Sequence, residues 1–220
     1  MIATPDTMRL VLVNPNTSVT VTNDMLALAR AEAGAGVEIV GLTARFGAST
    51  IIDEAMLAQA AEAVGMMAAE ISRHGPDGVI VAAFSNPGAS RLREKLTVPV
   101  TGLGEAAMRE AGCEGRRFAV VTTTPALVRS IERDVDRLGL TERFAGVALT
   151  EGDALHLMAD LGRMTEALHS ACSRAIDRGA RAIVIGGGPL AKSAADIRRR
   201  VPFPIIEPVS AAVRCTLALL

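Results

Sequence analysis

Ser85 and Asn86 lie in FSNPG at 84–88, where a hydroxyl and a carboxamide beside a turn can orient a polar ligand. Asn16, Thr17 and Ser18 close NPNTS at 14–18, just ahead of a helix start. The first amides of such a helix have no internal acceptor and can hold a carboxylate or phosphate. Thr122, Thr123 and Thr124 stand before Pro125 and offer three hydroxyls with similar amides. Gly187 and Gly188, in GGGPLAKS at 186–193, let main-chain N–H groups approach an anionic centre because no Cβ intervenes. Helix capping and tight turning account for the same residues, so both readings stand for each loop.

Two carboxylates sit at matching places, Glu105 in GLGEAA and Glu207 in IIEPVS. A buried carboxylate can orient an amide or act as a base if burial raises its pKa, and it can equally cap a helix. In a carbonyl-polarising site, Asn16, Thr122, Thr123 and the Gly187 and Gly188 amides would be donors. Ser85 and Glu207 would be the catalytic candidates, positioning water or acting as nucleophile or base. Ser85 has no sequence-identifiable His partner, so no Ser-His-acid triad forms.

His156 and His169 are thirteen residues apart on one long helical segment, and His74 precedes a distant turn. No Cys, His and Asp spacing supports a metal site. Cys113, Cys172 and Cys215 are odd in number and widely spaced, which suits small core side chains or incidental thiols rather than a disulfide framework. Residues 186–193 come near a nucleotide-binding P-loop, but Ala191 replaces its last glycine and Pro189 removes a donor. Nucleotide hydrolysis is not expected.

The elements that position these groups occur twice. LVLVNPNT at 10–17 returns as FAVVTTTP at 118–125, VIVAAFSNPG at 79–88 as AIVIGGGPLA at 182–191, and VPVTGLGEAA at 98–107 as FPIIEPVSAA at 203–212. Three recurrences in one order predict an α/β protein with two pseudo-symmetric lobes, each a mainly parallel sheet flanked by helices. The expected division is 1–100 for the first lobe, joined by a C-terminal helix over 208–220, and 101–207 for the second. Short apolar runs followed by longer helical patterns predict strands near 9–13, 37–42, 78–83, 117–121, 144–149 and 182–185, and one long helix over 154–178. Ligands of such folds collect beyond the carboxyl ends of the strands.

Composition narrows the partners. With 23 basic and 24 acidic side chains the net charge is -1, and all five aromatic residues are Phe, so neither a basic field nor a stacking platform for nucleic acid is present. No apolar run reaches the roughly 18 residues a membrane span needs, and Asp6 and Arg9 interrupt the start. The expectation is a cytoplasmic protein with a small-molecule amide, ureide or carboxylate as partner, no nucleic acid and no membrane; a homo-oligomer is compatible with the sequence, although no interface is legible in it.

Four segments, NPNTS, FSNPG, GLGEAA and the Gly-rich loop at 186–190, resemble the aspartate/glutamate racemase superfamily, in particular its hydantoin and allantoin racemase branch. The likeness runs from Arg9 to Leu220 and implies two pseudo-symmetric lobes holding a small carboxylate or cyclic ureide between them, with no cofactor. The motif resembling ACFGDPG falls on residues 82–88 and the one resembling LGCAGM on 185–190. Ala83 and Gly187 therefore occupy the two places where the resemblance implies catalytic cysteines. Two-base racemisation removes a proton from one face of a carbon and delivers another to the opposite face, and neither a methyl group nor a hydrogen can do this.

The expectation from sequence is thus a cofactor-independent enzyme acting on a small amide, cyclic ureide or carboxylate. Hydrolysis, ring opening or another route without paired cysteines leads. The alternatives are a noncatalytic metabolite-binding protein and a hydantoin-type racemase with replacement bases.

Overall fold

The computed structural model describes residues 7–186 and 190–220. Its strands are β1 (Met8–Asn14), β2 (Val37–Thr43), β3 (Gly78–Val81), β4 (Val100–Gly102), β5 (Phe118–Thr122), β6 (Phe144–Leu149), β7 (Ala182–Ile185) and β8 (Ile205–Ile206). They form two four-stranded parallel sheets, ordered β2-β1-β3-β4 and β6-β5-β7-β8. The orders are the same once the second half is laid on the first, as the repeated segments require. Each order reverses direction between its first and third strands, at β1/β3 and at β5/β7. Open parallel sheets leave a crevice at such a point.

The central strands read as unbroken apolar runs because both faces are covered. Along β1, Leu10 and Leu12 join one core cluster while Val11 and Val13 join another. Along β5, Phe118 and Val120 join the cluster of Leu10, whereas Ala119 and Val121 face a third. One face of each sheet therefore contributes to a single core between the sheets. Four helices also supply it: α1 (Val19–Ala33), α5 (Leu103–Ala111), α6 (Val128–Arg137) and α10 (Pro208–Leu217).

The outer face of the first sheet is covered by α2 (Glu54–Met66), α3 (Ala68–Arg73) and α4 (Ala89–Arg93). That of the second carries α7 (Ala154–Met158), α8 (Leu161–Asp177) and α9 (Ala191–Arg200). The C-terminal α10 packs on α1, α5, β3 and β4 of the first half. Its Arg214 also reaches Glu110 of α5 and Glu32 of α1, at 2.8 and 2.6 Å.

The long helix expected over 154–178 is two helices. Asp160 has extended backbone angles and its carboxylate accepts from the Arg163 amide at 3.0 Å, so it starts a new helix where the pattern alone reads as continuous. Among the described residues, no helix is long and apolar enough to cross a membrane.

Candidate functional site

A cavity of about 100 Å³ opens where the two crevices meet. Its polar wall comes from the strand ends: Asn16 after β1, Ser85 after β3, and Thr122, Thr123 and Thr124 at the end of β5. Ala82, Ala83 and Phe84 line it beside Ser85, and Gly186 and Leu190 line it from the loop after β7. The second wall is apolar, with Val21 and Met25 of α1, Leu57 of α2, and Leu127 and Ile131 at and beyond the turn that leads into α6. Ser49, Thr50 and Ile51 complete the mouth.

The first loop is held by Asn14, which is fully buried. Its Nδ2 donates to Asn16 Oδ1, to the Ser18 carbonyl and to Thr22 Oγ1, at 2.8, 3.1 and 3.0 Å. Asn16 Oδ1 also accepts from the Ser18 amide at 2.9 Å, so its amide nitrogen is the end left to meet a ligand. Ser18 is the N-cap of α1, its hydroxyl accepting from the Val21 amide, and the Thr17 amide donates to the Ala48 carbonyl. Neither Thr17 nor Ser18 lines the cavity.

On the second lobe, Thr122 donates from Oγ1 to the Gly186 carbonyl at 3.0 Å, and its hydroxyl lies 3.0 Å from that of Thr124. Gly186 in turn donates its amide to the Val121 carbonyl at 2.8 Å. Gly187 and Gly188, read from sequence as amide donors, lie outside the described residues.

Of the two acids, Glu207 takes the capping role. It is 6 % exposed, and its carboxylate oxygens accept from the amides of Val209 and Ser210 at 3.1 and 2.9 Å, starting α10. Glu105 is paired with Arg93 at 2.8 Å and lies 4.0 Å from Arg109. Neither lines the cavity. Asn86 also stands behind the wall rather than in it, with its carboxamide bonded to α5 and α6.

None of the three cysteines lines the cavity. Burial pushes the Cys172 thiol up to about 12, and burial followed by the charge of Glu105 raises that of Cys215. Cys113 is exposed next to the Arg116 guanidinium. Among the described residues, no cluster of His, Cys, Asp and Glu is arranged to hold a metal ion.

The described lining has no ionisable side chain at all. An adjoining hollow of about 350 Å³, sharing Thr123 and Thr124, does contain Asp53 and Asp153. Both act as helix caps, accepting from the Met56 and His156 amides at 2.8 and 3.0 Å. The cavity therefore offers hydroxyls and a carboxamide to a polar ligand, while its apolar wall suits a hydrocarbon part of it.

Sequence reading located the strand-end loops and missed the apolar wall. Val21, Leu57 and Leu127 follow helical periodicity, which reads as core, and only their partial exposure to the cavity distinguishes them.

A family model described as Asp/Glu/Hydantoin racemase matches residues 10–216. The hydantoin racemase of Rhizobium meliloti is 30% identical over 220 residues, covering 97% of this chain and 89% of that protein. Among solved structures, allantoin racemase from Klebsiella pneumoniae superposes with a TM-score of 0.90 at 33% identity, covering 96% of this chain and 87% of the other. Allantoin racemase from Pseudomonas fluorescens gives 0.88 at 34% identity, with 96% and 90% covered.

Proposed function

The chain belongs to the Asp/Glu/hydantoin racemase family, and from that premise we propose that its cleft binds a small cyclic ureide or related amide and serves isomerisation rather than hydrolysis. One observation carries this reading: the cavity lies between the strand-end loops that hold the racemase-like motifs, with Asn16, Ser85, Thr122 and Thr123 facing one space. Those groups suit a ring rich in carbonyl and N–H edges. Donors aimed at a carbonyl also stabilise the negative charge that develops when the neighbouring carbon loses its hydrogen.

Hydrolysis or ring opening, the leading expectation from sequence, has less to support it. The relatives described above are named as hydantoin and allantoin racemases. The carboxylate considered for activating water, that of Glu207, is engaged with the amides of α10. Isomerisation here proceeds without the paired thiols, since position 83 is Ala and position 187 is Gly. In this reading the cleft polarises the ring, and solvent water takes up the proton and returns one to either face.

A second reading, binding without turnover, is favoured by the lack of any ionisable group in the described lining. Incubating single enantiomers of 5-substituted hydantoins and of allantoin in deuterated water, with chiral chromatography and mass spectrometry, separates the two. Inversion with deuterium uptake faster than in a protein-free control supports isomerisation. A ligand bound and recovered unchanged supports binding alone, and a mass gain of one water overturns both.

A further inference from the structure

Asn86 follows the cavity-lining Ser85, is 7 % exposed, and has a left-handed backbone with φ of 53°. All of its side-chain hydrogen bonds leave its own loop. Oδ1 accepts from the amides of Gly104 and Glu105 at the start of α5, at 3.0 and 3.2 Å. Nδ2 donates to Asp134 Oδ2 of α6 at 3.1 Å. Asp134 lies one helical turn beyond Ile131, which lines the opposite wall, and Arg137 holds its other oxygen at 3.1 Å. A single carboxamide therefore links the loop that carries Ser85 to the helix that carries Ile131.

The neighbouring sequence is shaped to admit it. A Cβ at Gly102 would overlap the Asn86 side chain, and one at Gly104 would overlap the Phe84 carbonyl. The GLG of GLGEAA thus lets the loop after β3 press onto α5. Position 86 needs an acceptor for two amides and a donor for a carboxylate, and a carboxamide supplies both. An aspartate, as in the motif this loop resembles, would set two carboxylates face to face.

We propose that Asn86 is a positioning residue for the cleft, its link to Asp134 setting the separation between the wall at Ala83–Ser85 and the wall at Leu127–Ile131. The inference rests on the reading of this cavity as a ligand site. Asn86→Asp keeps the shape and the acceptor toward α5 but removes the donor to Asp134. The charged groups around the new pair are Arg137 on α6 and Glu105 on α5, the latter next to Arg93 and Arg109.

The experiment is calorimetric titration of the full chain with allantoin and with 5-methylhydantoin, together with thermal melting. Affinity in Asn86→Asp falls on the order of tenfold. The double variant Asn86→Asp/Asp134→Asn exchanges donor and acceptor, and its affinity returns to within about threefold of the parent. A melting shift in the single variant with unchanged affinity overturns the positioning role, as does a double variant no better than the single. If the parent binds neither probe, the ureide reading fails separately, and hydrogen exchange then decides the link. Faster exchange over residues 82–86 in Asn86→Asp, reversed in the double variant, supports it, and unchanged exchange overturns it.

Discussion

Thr122 Oγ1 lies 3.0 Å from the Gly186 carbonyl oxygen and ties the end of β5 to the loop after β7 at the floor of the cavity. Both residues are buried, and a buried polar group left without a partner is costly, so this bond helps to hold the second-lobe crevice in shape. Thr122→Val keeps the volume and deletes the donor. Stability is expected to drop by about 1 kcal/mol in denaturant titration, with weaker ureide binding measured by calorimetry. A variant as stable as the parent would show that the Gly186 carbonyl finds another donor.

Ala83 lines the cavity at the place where the family resemblance puts a thiol. Installing Ala83→Cys alone is expected to give deuterium exchange at the ring carbon with retention, because one base serves one face. Adding Gly187→Cys is expected to give exchange with inversion, at least about a hundredfold above the parent, in the range general acid–base catalysis contributes. Chiral chromatography of the product in deuterated water reads both outcomes. A double variant no faster than the parent would mean that the two positions do not flank one carbon.

Glu207 caps α10 through two amide hydrogen bonds. Glu207→Ala removes the cap and is expected to cost about 1–2 kcal/mol of unfolding free energy. Glu207→Gln, retaining one acceptor, should cost less. Calorimetric affinity for a ureide is expected to stay within about twofold of the parent in Glu207→Gln, because the side chain does not line the cavity. A large loss of affinity at normal stability would return Glu207 to the site.

Burial raises the Asp134 carboxyl above its ordinary range, against the opposing pull of Arg137 and the Asn86 amide and with a smaller push from Glu105. The folded state thus holds this proton more tightly than the unfolded state. The stabilising contribution is complete below the unfolded pKa and is lost as pH rises through the raised folded value. Asp134→Asn is accordingly expected to gain stability relative to the parent as pH goes from about 3 to about 7. Denaturant titration across that range checks it, and a pH-independent difference would contradict it.

The sequence displayed the strands and the four loops because parallel strands covered on both faces are uninterrupted apolar runs, and because each loop has a partner about a hundred residues away. It concealed whatever depends on contacts between distant segments. Asp160 reads as one more polar residue in a helical pattern until its carboxylate is seen capping α8. Asn86 reads as a cleft residue like Ser85, whereas its left-handed backbone turns the side chain to α5 and α6. Asn14, at a strand end, gives no hint that it organises the NPNTS loop from within.

The matched sheets place unmatched chemistry on the two sides of the hollow. A carboxamide from Asn16 stands on one side and the hydroxyls of Thr122 and Thr123 on the other. A molecule spanning the hollow would therefore meet different polar groups at its two ends, and turning it end for end would change every hydrogen bond it makes.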